Sequence, residues 1–469
     1  MNVQKNKDKE VRILVQRADR LGDVVFSLPV LERIKKDYPS ATIDFLTSKI
    51  GNDFVKDHPL IRKTIISPAN PLTTDFVNYL KSRKYNLYIS LWNEPKFAYL
   101  GKKVGIPCRI GDSSNLSLKW LYTHPVFQNW RDFTKHQIEF NLDLLKPLKC
   151  VKGPLIKSIP TDSIIDEDVC SKVKLINADS KQVVLIFIGT GGSNAPIPEH
   201  EIKPLVEVLT QKEKFFVILC GEKSKMLSKI EGSKILNLLG KTSLKELVSY
   251  IKFCDFYIGP DTGPSHIASF FDKPLVFFCA RKPNAPTRFG PVSTYFKILR
   301  KDYTCPYFCQ TRKCTSDCSP YVTASSLHQE LIKIVLESGK KKPVFSDSTI
   351  KTIHMLNSVR VMYLVNNRFD FMRSKKAIEN ATSRGLIIFP YLVRKSKTLD
   401  MMQFAIKKNI NVIQSHNRMS VFPRLIQFYV GTIKQYVRPI YVNQAFIEEV
   451  SNKDYLAMYT KEWDKVSKS

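Results

Sequence analysis

The run Asp261-Thr262-Gly263-Pro264-Ser265-His266 places a carboxylate, a hydroxyl and an imidazole within one short turn. It follows an apolar run, residues 253–258, that breaks at Gly259-Pro260, and it leads into a pattern that predicts an amphipathic helix ending near Lys273-Pro274. A strand that turns sharply into a helix leaves first-turn N–H groups unpaired and points the positive end of the helix dipole into one crevice. That chemistry suits an anion, and a diphosphate above all. Thr262 would supply an N–H and a hydroxyl, Gly263 the turn, and His266 an imidazole one turn later. Asp261 reads as holding the turn or a ligand hydroxyl, because a second bare carboxylate would repel a diphosphate. The structural alternatives are a helix cap for Asp261 and an imidazole tied to a nearby carbonyl for His266.

A second carboxylate, Asp23, sits in a similar setting. Residues 11–16 read as a buried strand that runs into Arg17-Ala-Asp-Arg-Leu-Gly22-Asp23, and a helical pattern continues until Tyr38-Pro39. Gly22 permits a tight turn, and Asp23 at the helix start is either a cap or a general base. With a further strand at 42–46 this is a βαβ opening of the doubly wound kind, in which ligand groups collect beyond the carboxyl ends of the strands. Strands at 87–91 and 109–110 and a helix at 136–145 complete a first domain, with His136 and Glu139 as a helix pair. A linker is predicted over 147–168. A second α/β domain follows, with strands at 182–188, 215–220, 234–237, 253–258 and 275–279 and helices at 202–209 and 243–251. Its first strand enters Gly189-Thr190-Gly191-Gly192-Ser193-Asn194, a flexible turn that could approach a phosphate or be a plain loop.

At 469 residues the chain suits two or three domains, and 73 Lys and Arg against 43 Asp and Glu leave a net charge of +30. Such a balance favours an anionic partner: nucleic acid, acidic lipid or a phosphorylated glycan. No helix-turn-helix, RNP or zinc-finger signature supports nucleic acid. The charged N-terminal residues lack the apolar core of a signal peptide, and no stretch approaches the ~20 apolar residues of a membrane span, so a cytoplasmic protein is expected. Cys108, Cys150, Cys170, Cys220, Cys254 and Cys279 are scattered, several in apolar runs that suit buried free thiols.

Several motifs together resemble a known family. Arg17, Leu21-Gly22-Asp23-Val24-Val25 and Leu28-Pro29 look like the opening of the ADP-heptose:lipopolysaccharide heptosyltransferases, glycosyltransferase family 9, and Leu238-Leu-Gly-Lys241-Thr-Ser-Leu-Lys-Glu-Leu247 with Gly259-Pro-Asp261-Thr262-Gly263-Pro-Ser-His266 look like its second-domain signature. The resemblance spans about residues 11–335. It implies a GT-B architecture, two Rossmann-like domains facing a central cleft (1–165 on the acceptor side, 180–335 holding the nucleotide sugar), and inverting transfer with no metal required. The sole Asp-x-Asp triplet, Asp166-Glu167-Asp168, lies in the predicted linker and reads as a solvated charge run.

By the same resemblance Asp23 is the base. Thr190, Gly191, Glu222, Lys241, Asp261, Thr262, Gly263, His266 and Arg288 contact the donor, and Arg17 serves acceptor or phosphate. A lysine that some members carry beyond Gly191 is replaced here by Ala195-Pro196, so phosphate charge would fall to Arg17, Lys241, Arg281 or Arg288. The implied partners are a nucleotide sugar, ADP-heptose first, and lipopolysaccharide or another glycan at an anionic membrane surface. A relative with another sugar nucleotide or a protein acceptor, or a non-catalytic basic binding protein of the same fold, are the rival readings.

Two segments stand outside this scheme. Cys305, Cys309, Cys314 and Cys318, separated by three, four and three residues, could enclose a tetrahedral zinc or iron or remain reduced thiols. Residues 345–469 read as a basic α/β extension with strands at 359–365, 386–393 and 411–414 and helices at 374–383 and 399–408. From 341 onward 22 Lys and Arg face 9 Asp and Glu, interleaved with tyrosines, which suits either docking to an anionic glycolipid surface or a plain basic exterior.

Overall fold

The computed structural model describes residues 11–130, 135–150, 155–160, 164–178, 182–190, 197–213, 215–278, 288–299 and 322–339, and the backbone of four strands between 361 and 439. Two six-stranded parallel sheets dominate it, and both have the same strand order. The first comprises β1 (Arg12–Arg17), β2 (Thr42–Thr47), β3 (Lys63–Ile66), β4 (Leu87–Ser90), β5 (Cys108–Asp112) and β6 (His124–Val126), arranged β3-β2-β1-β4-β5-β6. The second comprises β7 (Val183–Ile188), β8 (Phe216–Gly221), β9 (Ile235–Asn237), β10 (Phe256–Pro260), β11 (Leu275–Phe278) and β12 (Phe296–Leu299), arranged β12-β11-β10-β7-β8-β9. In each, the order reverses beside the first strand, and the crevice at that switch point lies beyond the carboxyl ends of the strands.

The helices of the first unit are α1 (Leu21–Val25), α2 (Leu28–Asp37), α3 (Lys49–Val55), α4 (Thr74–Ser82), α5 (Pro95–Val104) and α6 (Gln137–Asp143). Those of the second are α7 (Glu167–Ala178), α8 (Glu199–Glu207), α9 (Leu244–Phe253), α10 (Gly263–Phe270) and α11 (Ala324–Ser338). The inner strands are apolar runs because helices cover both of their faces. Val15, for instance, lies between Phe45 and Ile89 in register, and all three are fully buried.

Four expectations need correction. The predicted linker ends early, because Asp166 caps α7: its Oδ1 accepts from the Asp168 and Val169 amides, so Asp166-Glu167-Asp168 is a helix start and not a free charge run. Phe253 ends α9 rather than beginning β10. The strands β3, β6 and β12 were not anticipated, since they are three or four residues long and lie at or near sheet edges. Finally, α10 is not amphipathic. Every residue from Pro264 to Phe270 is buried, because its outer face is covered by the other unit. His136 and Glu139 do form the expected pair, as a capping box on α6. Cys108, Cys220 and Cys254 are buried free thiols, as read from the sequence, and burial raises the pKa of each.

In the extension, β13 (Val361–Val365), β14 (Ile388–Leu392) and β15 (Asn411–Asn417) pair in parallel as β14-β13-β15, and β16 (Gln435–Pro439) adds antiparallel to β15. The first three strands coincide with the sequence reading. The fourth was not foreseen, and the expected helices lie outside the described residues.

The two large units share one apolar core. Val24, Val25 and Phe26 belong to the same buried cluster as Ile267, Ala268 and Phe270, and α1 packs directly on α10. Gly22 makes that approach possible: a methyl group there would sit 2.6 Å from His266 Cδ2, on a ring wedged against Phe26 and Phe277. Gly22→Ala is therefore expected to destabilise the protein by about 1–3 kcal/mol, the usual cost of overpacking, read as a shift in the denaturant midpoint. An unchanged midpoint would show that the His266 ring can move aside.

Candidate functional site

The carboxyl end of β1 delivers Arg17 into the crevice, and the chain turns through Asp19 into α1. Arg17 is buried and uses three of its donors at once: Nε to Asp19 Oδ1 at 2.8 Å, Nη1 to the Leu91 carbonyl at 2.5 Å, and Nη2 to Asp23 Oδ1 at 2.5 Å. Leu91 follows β4, so the guanidinium bridges the switch point between β1 and β4. Burial alone would lower the pKa of Arg17, but the charges of Asp23 and Asp19 outweigh it and raise it. Burial pushes Asp19 up to about 7, against the pull of Arg17 and with the help of Asp23. The Asp23 side chain keeps 23% of its surface exposed, so it remains open to the crevice.

Across the interface, Asp261 follows β10, and Thr262 stands at the N-terminus of α10 with its hydroxyl donating to the Pro260 carbonyl at 3.3 Å. Among the described residues no side chain caps this helix, which leaves its first-turn amides without a side-chain acceptor. Pro264 belongs in that first turn, where its missing N–H costs nothing. Asp261 Oδ1 lies 3.2 Å from His266 Nε2, which makes Asp261 the ring's partner rather than a simple cap. His266 Nδ1 is buried with no hydrogen-bond partner among the described residues. The imidazole thus stands between α1 and α10, with Phe26 at 4.4 Å between ring centroids.

The remaining expected donor residues lie at the ends of neighbouring strands. Thr190 follows β7, and its amide donates to Glu222 Oε1 at 3.2 Å, so the amide expected to face a phosphate is held by the carboxylate expected near the nucleoside. Gly189 has φ near +125°, a backbone conformation that side chains rarely adopt, and a Cβ there would strike Glu222. Lys241, after the edge strand β9, is exposed and donates to the Asn237 carbonyl at 3.3 Å. The structure therefore gathers Arg17, Asp23, Asp261, Thr262, Gly263 and His266 around the α1–α10 contact, and sets Thr190, Glu222 and Lys241 progressively further out along the second sheet. Gly191, Arg281, Cys279 and the four cysteines Cys305, Cys309, Cys314 and Cys318 lie outside the described residues.

Arg288 reaches into the first unit. Its guanidinium lies over the Trp130 and Phe140 rings at 4.4 and 4.7 Å, and its Nε donates to Gln137 Oε1 at 3.1 Å. Burial lowers its pKa to about 10, with Asp23 and Asp112 opposing and Arg17 adding to the fall. Asp112, buried at the end of β5, accepts from Trp130 Nε1 at 2.5 Å and Asn93 Nδ2 at 2.8 Å and fixes the indole that Arg288 covers. The neighbouring His136 Nε2 lies 3.0 Å from the Gly290 carbonyl. Sequence reasoning missed Asp19, Trp130, Phe140 and Asp112. Only Asp19 left a local sign, two residues after an arginine that already pointed to the site.

Two doubly wound units whose strand ends share one crevice define a GT-B glycosyltransferase architecture. The structure of E. coli ADP-heptose LPS heptosyltransferase II superposes over 70% of this chain and its own whole length, at a TM-score of 0.56 and 19% identity. E. coli heptosyltransferase WaaC with ADP covers 69% of this chain and 100% of its own at 0.52 and 15% identity. In sequence, a putative glycosyltransferase of Haemophilus influenzae is 23% identical over 308 residues, 61% of this chain and 88% of that protein. Lipopolysaccharide heptosyltransferase 1 of Campylobacter coli is 26% identical over 300 residues, 58% and 85% respectively. The family model for glycosyltransferase family 9 (heptosyltransferase) matches residues 74–319. The chain belongs to glycosyltransferase family 9.

Because the slot holding Arg288 is built from two rings and one amide, it discriminates guanidinium from ammonium. Arg288→Ala is expected to cost about 1–3 kcal/mol of stability, with Arg288→Lys recovering less than half of it, measured by chemical denaturation. Full stability in the lysine variant would mean that the slot requires only a positive charge.

Proposed function

We propose that this family 9 glycosyltransferase moves a heptose from ADP-heptose onto the lipopolysaccharide core or a related glycan, with inversion at the anomeric carbon. Asp23 takes the proton of the acceptor hydroxyl, the freed oxygen bonds to the anomeric carbon, and the bond from that carbon to the diphosphate oxygen breaks, so that ADP leaves. The amides of Thr262 and Gly263 at the start of α10 stabilise the departing charge, with Thr190 and Lys241 as further donors and Glu222 beside the nucleoside. Asp261 and His266 hold the turn rigid beneath the leaving group. The supporting observation is the direct packing of α1 on α10, which sets a partly exposed carboxylate of one unit beside the uncapped helix start of the other. The similarity to lipopolysaccharide heptosyltransferases of Campylobacter coli and E. coli supports this donor and acceptor.

The acceptor is a membrane glycolipid, and the net charge of +30 suits the enzyme to an anionic bilayer at the cytoplasmic face of the inner membrane. No helix among the described residues is long and apolar enough to cross a membrane. The full chain should accordingly cosediment with vesicles that contain anionic lipid and lose them as salt is raised; equal binding to neutral vesicles would remove the electrostatic reading.

The central test is ADP release from ADP-heptose in the presence of truncated lipopolysaccharide, with other nucleotide sugars alongside. Asp23→Asn should lower kcat by roughly 10²- to 10⁴-fold with little change in donor KM. Turnover by this variant at the rate of the unmodified enzyme would rule out Asp23 as the base. Faster turnover of another sugar nucleotide would replace the donor.

A further inference from the structure

The charge pattern around Asp23 goes beyond a lone base. One guanidinium serves two carboxylates, since Arg17 Nε binds Asp19 Oδ1 and Nη2 binds Asp23 Oδ1, while Nη1 is fixed by the Leu91 carbonyl. The Arg17 and Asp19 side chains are only 5% and 12% exposed, so solvent screens their interaction weakly. Of Asp23, only Oδ1 is engaged by a hydrogen bond among the described residues, which leaves Oδ2 to receive a proton. Ser48, the N-cap of α3, donates its hydroxyl to the Asp19 carbonyl at 2.9 Å and fixes the turn from the other side.

A carboxylate clamped by an arginine is well oriented but a weak base, because the cation stabilises the ionised form. A second carboxylate on the same guanidinium offsets this without disturbing the orientation. We propose that Arg17 is a positioning residue for Asp23 and that Asp19 is its counter-charge, so that the ionisation of Asp19 sets how strongly Asp23 can draw the acceptor proton. The proposal rests on the reading of Asp23 as the base. It moves Arg17 from the phosphate and acceptor role implied by family resemblance to a role in orienting the base.

The charged groups acting on Asp19 are Arg17 and Asp23, and Arg288 and Asp112 bear on the same cluster from across the crevice and from the end of β5. The sign follows from these groups. Below about pH 7 Asp19 carries a proton, and the whole field of Arg17 falls on Asp23. As pH rises through that value Asp19 ionises and shares the guanidinium, so less of the Arg17 field falls on Asp23 and turnover rises. Stability moves the other way. Asp19 binds its proton more tightly folded than unfolded, so its contribution is full below the unfolded value near 4 and is lost as pH rises toward 7.

The test is the pH profile of ADP release, from about pH 5.5 to 9, for the unmodified enzyme, Asp19→Asn and Arg17→Lys, with Asp23→Asn as reference. The unmodified enzyme should show an ascending step near neutral pH. Asp19→Asn should lose that step and turn over roughly 10-fold more slowly at pH 8 with donor KM unchanged. Arg17→Lys, which cannot bond both carboxylates in one plane, should lose kcat rather than donor affinity. A step that survives in Asp19→Asn, or an unmodified enzyme without one, overturns the proposal while leaving Asp23 as the base. If Asp23→Asn is fully active, or if this donor is not turned over, the base or donor reading has failed. The pair is then judged on melting temperature, which needs no substrate: the fall in stability between about pH 4 and 7 should be smaller in Asp19→Asn, and identical profiles count against it.

Discussion

The contact between α1 and α10 is the constraint on which the rest of this structure depends. It requires a residue without a side chain at Gly22, an imidazole at His266 whose Nε2 faces Asp261, and an aromatic side chain at Phe26 to fill the space beside them. Phe26 lies at 4.9 Å from His136, 4.4 Å from His266 and 6.4 Å from Phe289, so rings from four separate segments converge on one position. Each unit alone would expose this apolar face. Joined, they bury it.

Polar contacts around that apolar seam give it direction. Arg288 with Gln137, His136 with the Gly290 carbonyl, and Lys157 with Asp272 and the Val292 carbonyl each join a residue of the first unit, or of the segment after it, to the second. Apolar packing alone would tolerate sliding, whereas these bonds hold only in one register. Trp130 and Phe140 stack on each other at 4.8 Å between ring centroids, and the second unit lays the Arg288 cation against both rings.

Much of this could be read from the sequence because the site lies where local patterns are strongest. The apolar runs before Arg17 and Asp261 are inner parallel strands, and Gly22-Asp23 and Asp261-Thr262-Gly263 are the turns that such strands demand. What the sequence left hidden depends on distance in space. The burial of α10 on all sides reflects a partner helix more than two hundred residues away in the chain, and the Trp130–Arg288 stack unites residues with no shared motif. Asp166 looked like free charge because its capping bonds go to the next few amides, a choice that composition does not reveal. Short edge strands such as β3 and β6 carry too few residues for their alternation to stand out.

The position of Asp23 has one more consequence. It shares a helix of five residues with Gly22, so this carboxylate cannot move independently of the surface that seals the two units. Any opening between the two units must draw the carboxylate away from Thr262 and Gly263 at the same time. With Asp23 as the proposed base and Thr262 and Gly263 as the proposed leaving-group cradle, the two come together only when the crevice is shut, and an open enzyme would lack the alignment needed to activate water against a bound donor. On that proposed assignment the glycine seam also guards the donor against hydrolysis.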